Sequence, residues 1–204
     1  MAESSTLSES TLPEAPLDLF AAWLGDAEAT GMTDPNAMTL ATAGADGRPS
    51  ARTVLLRGVG EDGFRFFTNR GSLKGRQLSE NPRAQLLLFW RELGRQILIH
   101  GSVEELSDAD SDAYFESRAR DSRLGAWASD QGAPLESRDQ LLARVAENER
   151  RFEGLEIPRP PYWGGYLVRP EAIEFWQAGE FRLHDRFVYR RSDAGGWAAG
   201  RLSP

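Results

Sequence analysis

The stretch "AMTLATAGADGRPSARTVLLRGVGEDGFRFFTN" carries two Asp-Gly dipeptides, Asp46-Gly47 and Asp62-Gly63, each set between runs of β-forming residues. Asp-Gly supplies the positive φ that a tight hairpin turn demands, so each dipeptide joins two neighbouring antiparallel strands. The spacing predicts a meander with strands over Ala37–Ala43, 50–59 and 64–69. Parallel strands need crossovers of about a dozen residues or more, and these short turns leave no room for them. Two further strands follow in "AQLLLFW" and "RQILIHGSVEEL"; the first is apolar throughout and is expected to be buried on both faces. The last part of the chain reads as three more strands: 164–168 running on through 172–177, then 182–190, then Trp197–Leu202. Residues 193–196 turn between the last two.

Helices fit around these strands. Leu17, Phe20, Trp23 and Leu24 share one helical face over 17–31, and Gly31 supplies the stop. Ser72 caps a short helix that ends before Pro82, and Ser107 caps another whose first turn is acidic, as the helix dipole favours. "DSRLGAWASD" and "SRDQLLARVAENERRFEG" are two more, the second with an inward stripe of Leu141, Leu142, Val145 and Phe152. The resulting class is α+β, mainly β: an antiparallel barrel with flanking helices rather than a doubly wound sheet. Residues 1–16 are expected to be a disordered tail, and 17–204 a single domain.

Composition narrows the function. With 24 Lys and Arg against 31 Asp and Glu, the net charge is -7, which argues against nucleic-acid or anionic-membrane binding. No apolar run is long enough to span a bilayer, and "MAESSTLSES" lacks the features of a secretory signal. The chain has no cysteine and only two histidines, so a thiolate nucleophile, a disulfide and a histidine-rich metal site are all excluded. A reducing cytoplasm is the simplest setting. P-loop, dinucleotide-binding and HExxH signatures are absent.

Three groups of basic residues stand out in this acidic chain. Arg182, His184 and Arg186 alternate with Leu183 and Asp185 in "RLHDR". On a strand they share one face, so either an anion lies among them or acids from elsewhere pair with them. Tyr114 and Arg118 in "YFESR" are one helical turn apart, with Ser122 following at the next helix start. Phenol, guanidinium and hydroxyl suit a phosphate, although an arginine simply stacked on its neighbour would give the same spacing. Arg52, with Lys74 after "TNRGS", forms the third group; sharing a face with Val54, the arginine requires an anionic partner.

These groups lie within motifs that together resemble the pyridoxine/pyridoxamine 5′-phosphate oxidase family: "AMTLAT", "RTVLLRG", "FFTNRGSLKG", "ENPRAQLLLFW", "RQILIHG", "YFESRARDSRLGAWASDQ", "RPPYWGGY" and "EFWQAGEFRLHDRFVY". They run in family order from about residue 17 to the C-terminal "RLSP". The resemblance implies an FMN-binding split β-barrel acting as a homodimer, with FMN between the subunits. It implies oxidation of pyridoxamine or pyridoxine 5′-phosphate to pyridoxal 5′-phosphate, with O2 as acceptor and H2O2 as product. By the same resemblance, Arg52, Thr53, Val54, Leu55, Phe67, Thr68, Lys74, Gln96, Gln131, Trp176 and Arg186 hold FMN. Arg57, Tyr114, Arg118 and Ser122 hold the substrate phosphate, and Arg182 and His184 bracket the substrate ring as the catalytic pair. No metal is implied.

The chain departs from the family pattern in places. Arg57 stands where the family has lysine, Leu73 where it has arginine, Phe67 where it has tyrosine and Gly132 where a serine is frequent. The N-terminal segment that covers the substrate in some members has no match in residues 1–16. Two other readings are compatible with the residues. One is a related flavin oxidase of phenazine-biosynthesis type acting on another substrate; the other is a non-catalytic flavin- or pyridoxal-phosphate-binding module. Intact Tyr114, Arg118 and Ser122 favour a phosphorylated substrate, and oxygen consumption separates all three.

Overall fold

The structure is a computed structural model, and it describes residues 7–192 and 195–204. The turn expected over 193–196 therefore falls partly outside the described residues. The described chain forms a nine-stranded, all-antiparallel sheet with five α-helices. In order these are α1 (Pro16–Ala29), β1 (Ala37–Ala43), β2 (Pro49–Leu55), β3 (Gly58–Gly60), β4 (Gly63–Asn69), α2 (Leu73–Glu80), β5 (Arg83–Trp90) and β6 (Arg95–Glu105). Then follow α3 (Asp108–Glu116), α4 (Arg120–Ala128), α5 (Arg138–Arg151), β7 (Trp163–Gln177), β8 (Asp185–Arg191) and β9 (Trp197–Leu202).

Strand order is β2-β1-β5-β6-β7-β4-β3, with β8 pairing β7 and β9 pairing β8. The two Asp-Gly hairpins are present, joining β1 to β2 and β3 to β4. The single strand expected over 50–59 is two strands. β2 pairs β1, β3 pairs β4, and the chain changes partner between them at Leu56 and Arg57, where Leu56 N–H donates to Asn36 O and Arg57 N–H to Arg65 O. Because β2 and β3 lie at opposite ends of the strand order, this corner brings the ends of the curled sheet together.

β7 is the long central strand, running unbroken through Pro170. Of its 15 residues, 166–177 pair β6 along one edge, while the other edge pairs β4 through 163–168 and β8 through 172–177. The register slips by a bulge at His100 and Gly101. A Cβ on Gly101 would lie 2.0 Å from Arg169 O, so only glycine lets the two backbones approach there. Gly101→Ala is accordingly expected to destabilise the fold by about 2 kcal/mol or more. A urea midpoint equal to wild type would show that the bulge relaxes freely.

The core fills the inside of the curl. Leu40, Phe64, Phe66, Leu86, Leu88, Ile97, Ile99, Phe175 and Phe187 are all buried in it. Helix α1 covers the open side with Phe20, edge-on to Phe64 at 4.9 Å, and Trp23, edge-on to Phe175 at 5.3 Å. A second cluster of Phe115, Leu124, Phe152, Ile157 and Trp163 lies beneath α3, α4 and the segment after α5.

Three local expectations are corrected. β5 alternates in burial: Leu86 and Leu88 face the core while Phe89 is 55% exposed, so one face is free in the single chain. The α5 stripe is only partly inward, with Leu142 exposed and Phe152, its C-cap, buried. The segment 7–15, expected within a disordered tail, is placed on the domain. Leu7 is buried with its N–H on Gln177 Oε1 at 3.1 Å, and Tyr189 Oη donates to Pro13 O at 2.9 Å.

Candidate active site

A cleft of about 440 Å³ opens between the two clusters. Its walls are Thr53, Val54 and Leu55 from β2, Arg57 from the corner, Phe67 and Thr68 from β4, Tyr114 from α3, Arg118 after it, Ser122 from α4, then Gln131 and Trp163. Sequence-distant residues meet here because β2 and β4 flank the corner while α3 and α4 pack over the start of β7. Tyr114 stacks on Phe67 at 3.9 Å, and Trp163 stacks on Phe67 at 5.6 Å.

Arg118 is held by these rings. Its guanidinium lies 4.8 Å from the Trp163 ring and 5.5 Å from the Phe115 ring. Its Nη1 is buried and has no hydrogen-bond partner. Burial, with Arg57 adding repulsion against an opposing effect of Tyr114, pushes its pKa down. A buried guanidinium edge without an acceptor is costly unless a ligand supplies one. Ser122 sits in the first turn of α4, whose N-cap is Ala119 and provides no capping side chain, so the helix start leaves donors open toward an anion. Among the described residues, no carboxylate pairs with Arg57 or Arg118.

Lys74 and Arg52 form a second uncompensated pair beside the same cleft. Ser72 caps α2 by accepting from Gly75 N–H, which turns Lys74 back beneath β4. Its Nζ donates to Gln131 Oε1 at 2.7 Å and to Thr68 Oγ1 and Ser72 Oγ, each at 3.1 Å. All of these acceptors are neutral. Burial, and secondarily Arg52, lower the Lys74 pKa to about 8. Arg52 also donates only to neutral oxygens, with Thr42 Oγ1 and Ser50 Oγ both at 2.6 Å. Two cations with no carboxylate, in a chain of net charge -7, are a prepared anion site. The fit to a phosphate-bearing cofactor such as FMN therefore holds on this chain's own donors. Leu73, in the arginine position of the motif, is half exposed at the start of α2 and adds no donor.

The remaining expected site residues lie elsewhere on the single chain. Gln96, Trp176 and Arg186 stand in one row across β6, β7 and β8, on the face opposite the core. The His184 ring lies 4.7 Å from Trp176. The strand-face reading of Arg182 and His184 is corrected. Strand β8 begins only at Asp185; Arg182 is in a 3₁₀ turn with φ of 64°, and the preceding Phe181 has φ of 55°. Two successive left-handed residues break the alternation that would have aligned the three basic groups. His184 Nδ1 accepts from Gly179 N–H at 3.1 Å. Arg186 does have a protein anion: its Nε donates to Glu174 Oε1 at 2.9 Å. Asp185 pairs with Arg201 at 2.6 Å.

The chain matches the family model "Pyridoxamine 5'-phosphate oxidase" over residues 24–150. It also matches "Pyridoxine 5'-phosphate oxidase C-terminal dimerisation region" over residues 163–204. The chain belongs to the pyridoxamine 5′-phosphate oxidase family. Within that family it is 54% identical to the pyridoxine/pyridoxamine 5′-phosphate oxidase of Rubrobacter xylanophilus, over 97% of this chain and 91% of that one. Identity to the enzyme of the same name from Cupriavidus metallidurans is 52%, over 98% and 94%. Among solved structures, PhzG from Burkholderia lata, in complex with tetrahydrophenazine-1-carboxylic acid, superposes with a TM-score of 0.91 at 35% identity, covering 98% of both chains. An FMN-binding protein of Nostoc punctiforme related to the family shares the fold, with a TM-score of 0.73 at 21% identity. No helix of the described residues is long and apolar enough to cross a membrane.

Trp163 and Gln77 were not singled out by sequence reasoning. Trp163 lay in the quoted "RPPYWGGY"; its ring is what immobilises Arg118. Gln77, one helical turn after Lys74, reaches the oxygens around Arg52.

Proposed function

We propose that this protein is an FMN-dependent oxidase that converts pyridoxamine 5′-phosphate or pyridoxine 5′-phosphate to pyridoxal 5′-phosphate, with O2 as acceptor and H2O2 as product. The observation that carries the reading is the pair of uncompensated cationic sites on one cleft: Arg52 with Lys74, and Arg57 with Arg118. A reaction between a flavin mononucleotide and a vitamer phosphate needs two phosphate sites, and an acidic chain has no electrostatic reason to leave two such pairs bare.

In this reading Arg52, Lys74 and Thr68 hold the FMN phosphate, with Thr53, Val54, Leu55, Phe67 and Gln131 along the same wall. Tyr114, Arg118, Ser122 and Arg57 hold the substrate phosphate and fix where the vitamer ring lies. Bound FMN supplies the redox chemistry, as hydride acceptor from the C4′ carbon and as donor to O2. What the chain supplies is orientation: two anchored phosphates place the reacting partners in a defined geometry. Gln96, Trp176, Arg186, Arg182 and His184 complete the site from a second copy of the chain, in accord with the match of residues 163–204 to a dimerisation region. Because His184 Nδ1 accepts a backbone hydrogen bond, its neutral ring carries its proton on Nε2, and that atom is the donor offered to a ligand. The homodimer with FMN at the interface and a cytoplasmic setting belong to the same reading.

An oxygen electrode tests it. Protein reconstituted with FMN is expected to consume O2 with pyridoxamine 5′-phosphate and to release pyridoxal phosphate and peroxide. Yellow protein that turns over neither phosphorylated vitamer, or that turns over only a reduced phenazine carboxylate, would overturn the assignment.

A further inference from the structure

Arg52 donates through both arms of its guanidinium to hydroxyl groups. Nη1 reaches Thr42 Oγ1 and Nη2 reaches Ser50 Oγ, both at 2.6 Å. Thr42 and Ser50 are cross-strand partners in the β1–β2 register, so the fork spans a preformed pair. Each hydroxyl that accepts from arginine still has its own proton to donate. Both protons go to one atom, Gln77 Oε1, which lies 2.6 Å from Thr42 Oγ1 and 2.7 Å from Ser50 Oγ. Nη2 itself comes within 3.5 Å of the same oxygen. The direction of this closed network is forced. A guanidinium cannot accept, so the hydroxyls must accept from it, and the amide must then present its oxygen rather than its nitrogen.

Gln77 and Thr42 are buried, so the network is dry at the end away from the ligand. Its terminal acceptor is neutral. A carboxylate at position 77 would have the same shape and would accept the same two hydroxyl hydrogen bonds. It would also neutralise Arg52 from behind. Buried charges are ordinarily paired, and here the side chain in the pairing position is the uncharged isostere of the acid that would do it.

We propose that Gln77 is a positioning residue that aims Arg52 and keeps its charge available for the dianionic phosphate of the flavin. This rests on the flavin reading above and adds to it the reason for an amide at this place.

The test compares FMN affinity, by quenching of flavin fluorescence, with thermal melting of the apoprotein. For Gln77→Glu the expected result is FMN affinity weakened at least ~30-fold, because an internal ion pair competes with the ligand. Apoprotein melting is expected at or above the wild-type temperature, since the same ion pair satisfies Arg52. Weaker binding with unimpaired melting supports the proposal, because damage to the fold would lower both. FMN affinity within about threefold of wild type, or affinity lost together with a fall in apoprotein melting, overturns it. Gln77→Met removes the acceptor without adding charge and is expected to weaken FMN about tenfold; unchanged affinity there overturns the aiming role. Wild-type apoprotein that fails to bind FMN would instead overturn the flavin reading, and this proposal with it.

Discussion

Arg118→Ala is expected to lower kcat/KM for pyridoxamine 5′-phosphate by about 1,000-fold and to leave FMN binding close to wild type. The size follows from the environment of the side chain. Its Nη1 is buried without a protein partner, and the Trp163 and Phe115 rings fix its plane. A charged group already desolvated and already oriented contributes its full hydrogen bond to an incoming phosphate without ordering cost. Arg118→Lys restores charge but not the planar fork, and an intermediate loss is expected. Steady-state kinetics with FMN in excess measure the first effect, and flavin fluorescence measures the second. Equal loss of both would show that Arg118 serves the flavin and not the vitamer.

Lys74→Ala is expected to give the reciprocal result, with FMN affinity falling by about 1,000-fold while residual turnover at saturating FMN retains its KM for the vitamer. The pH dependence is a stricter check. The Lys74 pKa in the apoprotein is lowered to about 8. Below that value the ammonium is already formed and wild-type affinity is full. As pH rises through it, binding must first recover a proton and affinity falls. From about pH 7 to 9.5 the wild-type affinity is therefore expected to decline, while that of Lys74→Ala stays nearly flat. A wild-type profile as flat as that of the variant would assign the phosphate to other donors.

The fold was legible where the information is local. Asp46-Gly47 and Asp62-Gly63 specify their hairpins through their own backbone preferences, and Ser72 and Ser107 accept from the amides three residues on, at Gly75 and Asp110. It was illegible where distant pairing decides. Nothing within 50–59 announces that the strand changes partner at Leu56, because that depends on β4. Phe181 and Arg182 take left-handed conformations with no glycine at either position, so the alternating pattern of "RLHDR" suggested a strand that starts only at Asp185. The site was legible as three basic groups, and the geometry brings two of them to one cleft. Gln77 escaped because its partners Thr42 and Ser50 are 35 and 27 residues away in sequence.

The family treats residues 24–150 and 163–204 as two segments, but β7 belongs to both halves of the molecule. Its first residues are a stave of the barrel between β4 and β6, and its last residues carry the C-terminal hairpin. Cutting the chain before Trp163 would thus strip two barrel strands of their neighbour and expose Phe64, Phe66, Ile97 and Ile99 together. Removing the C-terminal segment would therefore unmake the barrel itself, because β4 and β6 meet only through β7.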